Sequence, residues 1–278
     1  MIRRQTAHRL RSILLGGGLA AAASGANAAP ALDPAVNVRA GVLFSDVRTR
    51  VRIDPAPDID AREVGFERDL GLDRGPAILF VDGAYRFAPR WTLGLEYQQL
   101  DRRRTARLSR ALEIGETVYP VDATVRGRFR SSLYKVQLGW TPIAGERAEM
   151  GVSIGAHVTD FLLSIAGEGQ VGSAAAAPRE ERRTVLAPLP NAGLFGRLQL
   201  GRGFAARAEA NYFQLTLDDV EGGLTDLELA VEWQSRRRLG AGLGYRHLGY
   251  RLDLARPRFD GAVRYRFSGP ILFVTAGF

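Results

Sequence analysis

Asp260-Gly-Ala-Val-Arg-Tyr-Arg-Phe-Ser-Gly-Pro-Ile-Leu-Phe-Val-Thr-Ala-Gly-Phe278 is the stretch whose reading decides the fold. Val263, Tyr265 and Phe267 alternate with Arg264, Arg266 and Ser268. A period of two sends apolar and charged side chains to opposite faces of a strand. A strand with oil on one side and water on the other has this pattern. The expectation is that Val263, Tyr265 and Phe267 meet lipid while Arg264 and Arg266 face a lumen.

Working outward, the same pattern recurs in ten segments, at about 36–53, 76–88, 91–108, 121–141, 148–170, 184–201, 203–219, 224–236, 239–255 and 259–278. Trp91, Leu93, Leu95 and Tyr97 oppose Thr92, Gly94, Glu96 and Gln98; Tyr134, Val136, Leu138 and Trp140 oppose Lys135, Gln137 and Gly139. Leu227, Leu229, Val231 and Trp233 oppose Asp226, Glu228, Ala230 and Glu232. Ala88-Pro-Arg90, Ala144-Gly-Glu-Arg147, Gly201-Arg-Gly203 and Ser235-Arg-Arg-Arg238 read as tight turns on one side. Longer loops lie around 54–75, 109–120 and 171–183 on the other, with Glu221-Gly222-Gly223 and Arg256-Pro257-Arg258 as short exceptions there. Trp91, Trp140 and Trp233 all fall beside tight turns, as an interfacial girdle requires. The fold class is therefore all-β: a transmembrane antiparallel β-barrel of about ten strands, with eight or twelve as alternatives. Strand nine changes phase between Tyr245 and Leu248, and strand ten at Gly269-Pro270; a bulge at each place is the expected cause.

The motifs Phe66-Glu-Arg-Asp-Leu-Gly-Leu72, Leu95-Glu-Tyr97, His157-Val-Thr-Asp160, Leu186-Ala-Pro-Leu-Pro190 and Tyr265-Arg-Phe-Ser-Gly-Pro270 resemble an uncharacterised family of proteobacterial outer-membrane β-barrel proteins. The terminal Phe278 resembles the assembly signal of such barrels, although Ala276 departs from the bulky residue usual there. The resemblance implies a bacterial outer-membrane location and recognition by the barrel assembly machinery. It carries no catalytic residues. An even strand count then puts both termini in the periplasm.

The opening segment fits export. A basic run through Arg11, a short apolar stretch from Ile13 to Ala23 and the small-x-small site Ala26-Asn27-Ala28 predict a signal peptide over 1–28 and a barrel domain over 29–278. The chain has no cysteine, which excludes disulfides and thiolate metal sites. Its formal charge of +8 falls to about +4 once Arg3, Arg4, Arg9 and Arg11 leave. Lys135 is the lone lysine, so the positive charge is almost all arginine. An exported chain without a basic helix is not a nucleic-acid binder. No cofactor and no metal site is expected.

Two groups of side chains carry the functional reading. The lumen is expected to hold Arg39, Asp82, Arg86, Glu96, Lys135, His157, Arg197, Arg207, Glu209, Asp226, Glu228, Glu232, Arg264 and Arg266, accompanied by Gln98, Gln137, Gln199 and Asn211. Charges of both signs predict a self-satisfying plug. The alternative is a narrow pore with arginine on one wall and carboxylates on the other. Outside, Arg48, Arg50, Arg52, Arg103, Arg107, Arg126, Arg128 and Arg130 share the parity of lipid-facing residues and lie just above them. Their planar forks suit the phosphates of lipopolysaccharide. Arg179, Arg182 and Arg183 offer a weaker recognition surface, in a loop expected to be flexible. His157, near Ser153, Thr159 and Asp160, and His247, near Asp218-Asp219 and Asp253, form no triad-like grouping. The expectation is a closed, monomeric barrel with a structural or surface role. A narrow porin-like channel is the first alternative and an outer-membrane hydrolase the second.

Overall fold

The computed structural model describes residues 35–53, 63–114, 117–171, 177–217, 220–235, 238–256 and 259–278. The expected signal peptide and Asp218-Asp219 lie outside them. In chain order the elements are β1 (Val36–Phe44), β2 (Asp46–Ile53), β3 (Val64–Gly65), α1 (Phe66–Asp69), β4 (Ala77–Ala88), β5 (Trp91–Arg107), β6 (Leu112–Ile114), β7 (Thr117–Tyr119), β8 (Thr124–Ala144), β9 (Ala148–Val171), β10 (Ala177–Gly201), β11 (Phe204–Leu217), β12 (Val220–Gln234), β13 (Leu239–Arg256) and β14 (Phe259–Gly277).

β1 and β2 are two halves of one wall strand. β14 pairs with both in a single register, with Leu43 opposite Ile271 and Asp46 opposite Ser268. The interruption is at Ser45, whose amide and hydroxyl both turn to the Pro76 carbonyl. Counted this way, ten antiparallel strands follow one another around the wall, and β1 closes on β14. Closure leaves no sheet edge, which is what a membrane-crossing β structure needs to satisfy its backbone. The first and last wall strands meet there: Phe278 N donates to Val36 O across 2.8 Å.

Polarity inverts along the barrel axis. At the end bearing the tight turns, exposed apolar side chains cover the outside. Trp91, Trp233, Phe204 and Phe278 stand near the turns, while Phe44, Tyr97, Tyr134, Tyr212 and Tyr245 form a second aromatic ring higher up. Inside that zone lie Arg39, Glu96, Lys135, His157, Asp226 and Arg246, all buried. Above the second ring the arrangement reverses. Arginines face outward, and Val47, Val51, Phe129, Phe161, Leu248, Tyr250, Val263, Tyr265 and Phe267 fill the interior at 4% exposure or less. Below, lipid supplies the apolar surroundings; above, water surrounds the wall and the barrel must enclose its own apolar core.

This inversion corrects the reading of β14. Arg264 and Arg266 are exposed on the outer wall, not in the lumen, and Val263, Tyr265 and Phe267 point inward. Neither expected bulge exists, because β13 and β14 pair without a register shift from Leu239–Ala276 to Arg256–Phe259. The register shifts in the wall lie beside tight turns, at Arg86/Ala88, Trp140/Ile143 and Gln199/Gly201. The alternation is continuous; what changes is which face must be apolar.

The long connections also differ from plain loops. The 54–75 region contains β3 and α1, and 109–120 contains the β6–β7 hairpin. β10 begins at Ala177, so Arg179, Arg182 and Arg183 are wall residues rather than loop residues. Glu221-Gly222-Gly223 lies within β12, because Leu217 already pairs with Val220.

Candidate functional site

The lower interior is a network of ion pairs built across the lumen. Arg246 spans it, with Nε and Nη2 each 2.9 Å from Asp226 and Nη1 2.5 Å from Glu96. Lys135 Nζ sits 2.8 Å from Glu209, 3.0 Å from Glu96 and 3.6 Å from Asp226. Arg39 joins Asp82 at 2.9 Å to Glu228 at 2.7 Å and stacks over the Phe273 ring. Nearer the turns, Arg86 pairs with Glu149, while Arg197 and Arg207 share Glu232. Charges of opposite sign interleave, so the separation into a basic and an acidic wall, which the alternative of a narrow pore requires, is not the arrangement found. Glu149, Asn191 and Arg246 belong to this network and were missed, although inward parity on strands already assigned marks all three.

His157 is fully buried within it. Its Nε2 lies 3.2 Å from Asp226, and Asn191 Nδ2 lies 2.8 Å from its Nδ1. An amide that donates to Nδ1 leaves the proton on Nε2, facing the carboxylate. Ser153 and Thr159 share its inward face, whereas Asp160 points outward. His247 is on the outer wall instead, where Nδ1 lies 2.7 Å from Ser268 Oγ. Among the described residues no carboxylate hydrogen-bonds its other nitrogen, and no group of three or more His, Cys, Asp or Glu is placed to hold a metal.

Below the apolar core, a cavity of about 160 Å³ reaches toward the turns, lined by Asn37, Arg86, Lys135, Glu149, Phe195 and Arg197 among others. Above it an aromatic cluster packs the interior, with Phe129 5.2 Å from Tyr265 and Phe161 5.8 Å from Tyr250 between ring centroids. The Phe66–Leu72 motif lies over this cluster. Phe66 meets Phe129 edge-on at 5.9 Å. Leu70 and Leu72 settle against Gly127, where a Cβ would come within 3.1 Å of Leu70. Glu67 ties the segment down by accepting from Arg102 and from the Thr49 amide. Arg102 was not singled out from the sequence; its even position in β5, shared with Glu96 and Gln98, is the signal that marks it as inward.

The outer rim holds the eight arginines assigned to it by parity: Arg48, Arg50, Arg52, Arg103, Arg107, Arg126, Arg128 and Arg130 all face outward. Several are ion-paired. Arg103 and Arg128, directly opposite each other on β5 and β8, share Asp101 at 3.1 and 2.7 Å. Those hydrogen bonds, Arg128 foremost, outweigh partial burial and hold the Asp101 carboxyl down at about 2. Arg107 meets Asp122, and Arg52 meets Asp253. Phe278 is exposed on the outer wall at the turn end.

No protein-family model matches the chain, and no curated protein does. Among solved structures, the outer membrane protease OmpT of Escherichia coli matches with a TM-score of 0.56 over 87% of this chain and 96% of that one, at 9% identity. The transport unit of the autotransporter AIDA-I of Escherichia coli matches at 0.41, covering 88% of this chain and 90% of that one at 10% identity. The attachment invasion locus protein Ail of Yersinia pestis matches at 0.31, covering 87% and 99% at 13% identity. The likeness to OmpT is one of fold: a closed antiparallel barrel of the outer-membrane kind.

Proposed function

We propose that this chain is an integral protein of the bacterial outer membrane, monomeric, with both termini in the periplasm and a lumen closed to ions. Its role on this reading is structural and surface-directed, with the arginine rim held against the phosphates of lipopolysaccharide. Phe278, exposed where the barrel closes, is its contact for the assembly machinery.

The observation that carries the reading is the polarity inversion. A barrel that buries an aromatic core above an ion-paired network has filled its own interior at two heights. Paired charges also leave few sites at which a permeating ion can exchange its hydration shell. The outward arginines begin where the apolar belt stops, at the height of lipid phosphates.

Conductance of the refolded barrel in a planar bilayer tests closure. The expected result is silence from a preparation whose gel mobility shifts on heating, as for a folded barrel. Stable discrete steps would favour the porin-like alternative. Retention of lipopolysaccharide by the R126Q/R128Q/R130Q variant tests the rim, with weaker retention expected. A catalytic role is not part of the proposal: His157 is sealed in the network, and among the described residues His247 hydrogen-bonds only Ser268. Ester hydrolysis that is lost in Ser268→Ala would overturn that view.

A further inference from the structure

Among the described residues, one stretch of the outer wall has more positive charge than its neighbours neutralise. Arg50, Arg264 and Arg251 stand in a row across β2, β14 and β13, each directly opposite the next. One step closer to the apolar belt, Arg48 faces Arg266 in the same way. Like charges directly opposite on adjacent strands destabilise a sheet. On the other side of the barrel the corresponding Arg103–Arg128 pair is resolved by Asp101 between them. Here the compensation is thinner. Glu63 is divided between Arg264 at 3.3 Å and Arg50 at 3.8 Å, and Glu221 is 3.9 Å from Arg251. Arg48 reaches Asp46 at 3.5 Å, and Arg266 makes no ion pair among the described residues.

These side chains border a groove of about 440 Å³ on the outer wall. Its floor is made by glycine. Gly249 stands opposite Arg266, and Gly223 opposite Arg251. Neither glycine has a left-handed backbone, and a Cβ on either would meet nothing nearer than 3.8 Å. Backbone geometry and packing therefore do not require glycine at these positions. In a strand interior, where glycine weakens pairing, such a residue often marks a bulge, a bend or a place where something approaches the backbone closely; the pairing at Gly223 and Gly249 has no register shift, so neither is a bulge.

What approaches is indicated from below. The groove opens directly above the belt, where Tyr212 and Tyr245 end the apolar surface and Leu227, Leu229, Leu243 and Leu272 are exposed to hydrocarbon. A ligand suited to both levels carries phosphate at its head and acyl chains beneath. Two facing arginines provide the paired forks that phosphate oxygens take bidentately.

We propose that this groove is a binding site for a phosphorylated lipid of the surrounding leaflet. Phosphate is held among Arg48, Arg264 and Arg266, and the chains lie along Leu243 and Leu272. The site rests on the reading of the rim as a phosphate-contacting surface and narrows it to one wall of the barrel. Arg264 and Arg266, which the alternation pointed into the lumen, become its central residues.

The test uses the refolded full-length barrel in nanodiscs carrying bis-phosphorylated lipid A, the same lipid after phosphatase treatment, or soluble pyrophosphate alone. Retention of the phosphorylated lipid should fall about tenfold in R264Q/R266Q and much less in R126Q/R128Q, because the second wall has its own carboxylates. Gly249→Leu keeps every arginine and fills the floor, and it should lose the lipid as well. Gel mobility confirms that each variant is folded. Unchanged retention in R264Q/R266Q would overturn the site, as would equal retention of the dephosphorylated lipid. Pyrophosphate bound as tightly as the lipid would make it a soluble-phosphate site and overturn the lipid assignment. If both double variants weaken retention equally, the rim reading stands and the groove assignment fails. If the unaltered protein retains no lipid, both fail.

Discussion

Arg102 donates from Nη1 to Glu67 Oε1 across 2.7 Å, with the two side chains 3% and 6% exposed inside the barrel mouth. The same guanidinium reaches Thr49 Oγ1 at 2.7 Å and the Asp73 carbonyl at 2.8 Å, and it lies 5.2 Å from the Phe129 ring centroid. One side chain thus fastens the 63–73 segment to β2 and to the aromatic core. Removing one partner of such a buried pair strands the other charge, at a cost of roughly 3–5 kcal/mol. Glu67→Gln or Arg102→Met should therefore expose this segment to protease while the barrel keeps its heat-modifiable mobility. R102M/E67L, which removes both charges, should lie closer to the unaltered protein than either single change. A double variant as open as the singles would show that the latch depends on groups other than this pair.

The failure at Arg264 and Arg266 shows how far alternation carries. A period of two divides a strand into two faces and gives the strand, its pairing partners and its turns. It does not say which face is inside. Trp91, Trp140 and Trp233 settle that question for the belt, because only a membrane interface puts three tryptophans beside the turns. Above the belt the same chemistry has the opposite meaning: Val263, Tyr265 and Phe267 are inward for the reason that Leu272 and Val274 are outward. The lumenal charges were legible because their strands carry belt residues. Parity also marks Arg102 as inward, but its pairing with Glu67 and the role of Phe66 were not legible, since both depend on a segment folding back over the mouth. Local periodicity says nothing about that return.

Acid should release part of the mouth at an unusually low pH. Burial acts to raise the Asp69 carboxyl, but hydrogen bonds from Arg68 and Arg110 and from the Gly65 amide outweigh it and hold the group at about 2. A depressed carboxyl contributes stability that is fully present above its unfolded pKa, near 3.9, and is lost as pH falls through the folded value. The α1 segment should thus remain protected from pepsin at pH 4 and become cleavable near pH 2. In Asp69→Asn it should be cleavable at both. Cleavage of the unaltered protein at pH 4 would count against this ionic anchor.

Gly127 is where the segment comes closest to the wall. Added carbon there meets Leu70 at 3.1 Å and Leu72 at 3.2 Å. Gly127→Val should overpack the contact by about 1–3 kcal/mol. The readout is faster amide exchange across 66–72 with the belt strands unaffected. Uniform exchange in the variant would place Leu70 and Leu72 elsewhere.

Arg246 joins Glu96 on β5 to Asp226 on β12, across the lumen. Arg246→Met leaves two buried carboxylates with Lys135 as their nearest cation. A loss of roughly 3–5 kcal/mol is expected, measured as a lower urea midpoint in lipid vesicles with an unchanged slope. An unshifted midpoint would mean that water compensates the carboxylates, and the lower lumen would then be wetter than its ion pairs imply.

If the lumen is closed as proposed, the seal has two layers, and removing one should not open it. The 63–75 segment lies over the mouth, but Phe129, Phe161 and Tyr265 arise from the wall itself, with centroids 5.2 to 6.0 Å apart. Replacing 63–75 by a short hairpin should therefore leave the bilayer silent. Truncating Phe129, Phe161 and Tyr265 to Ala in that background removes the second layer. Each loss costs about 3–5 kcal/mol where the cavity cannot collapse. Strands joined in a closed hydrogen-bonded wall have little freedom to collapse, so water should enter and discrete current steps should appear. Current from the hairpin replacement alone would put the whole seal in the mouth segment, and silence from the combined variant would place it lower, in the ion pairs around Arg246 and Lys135.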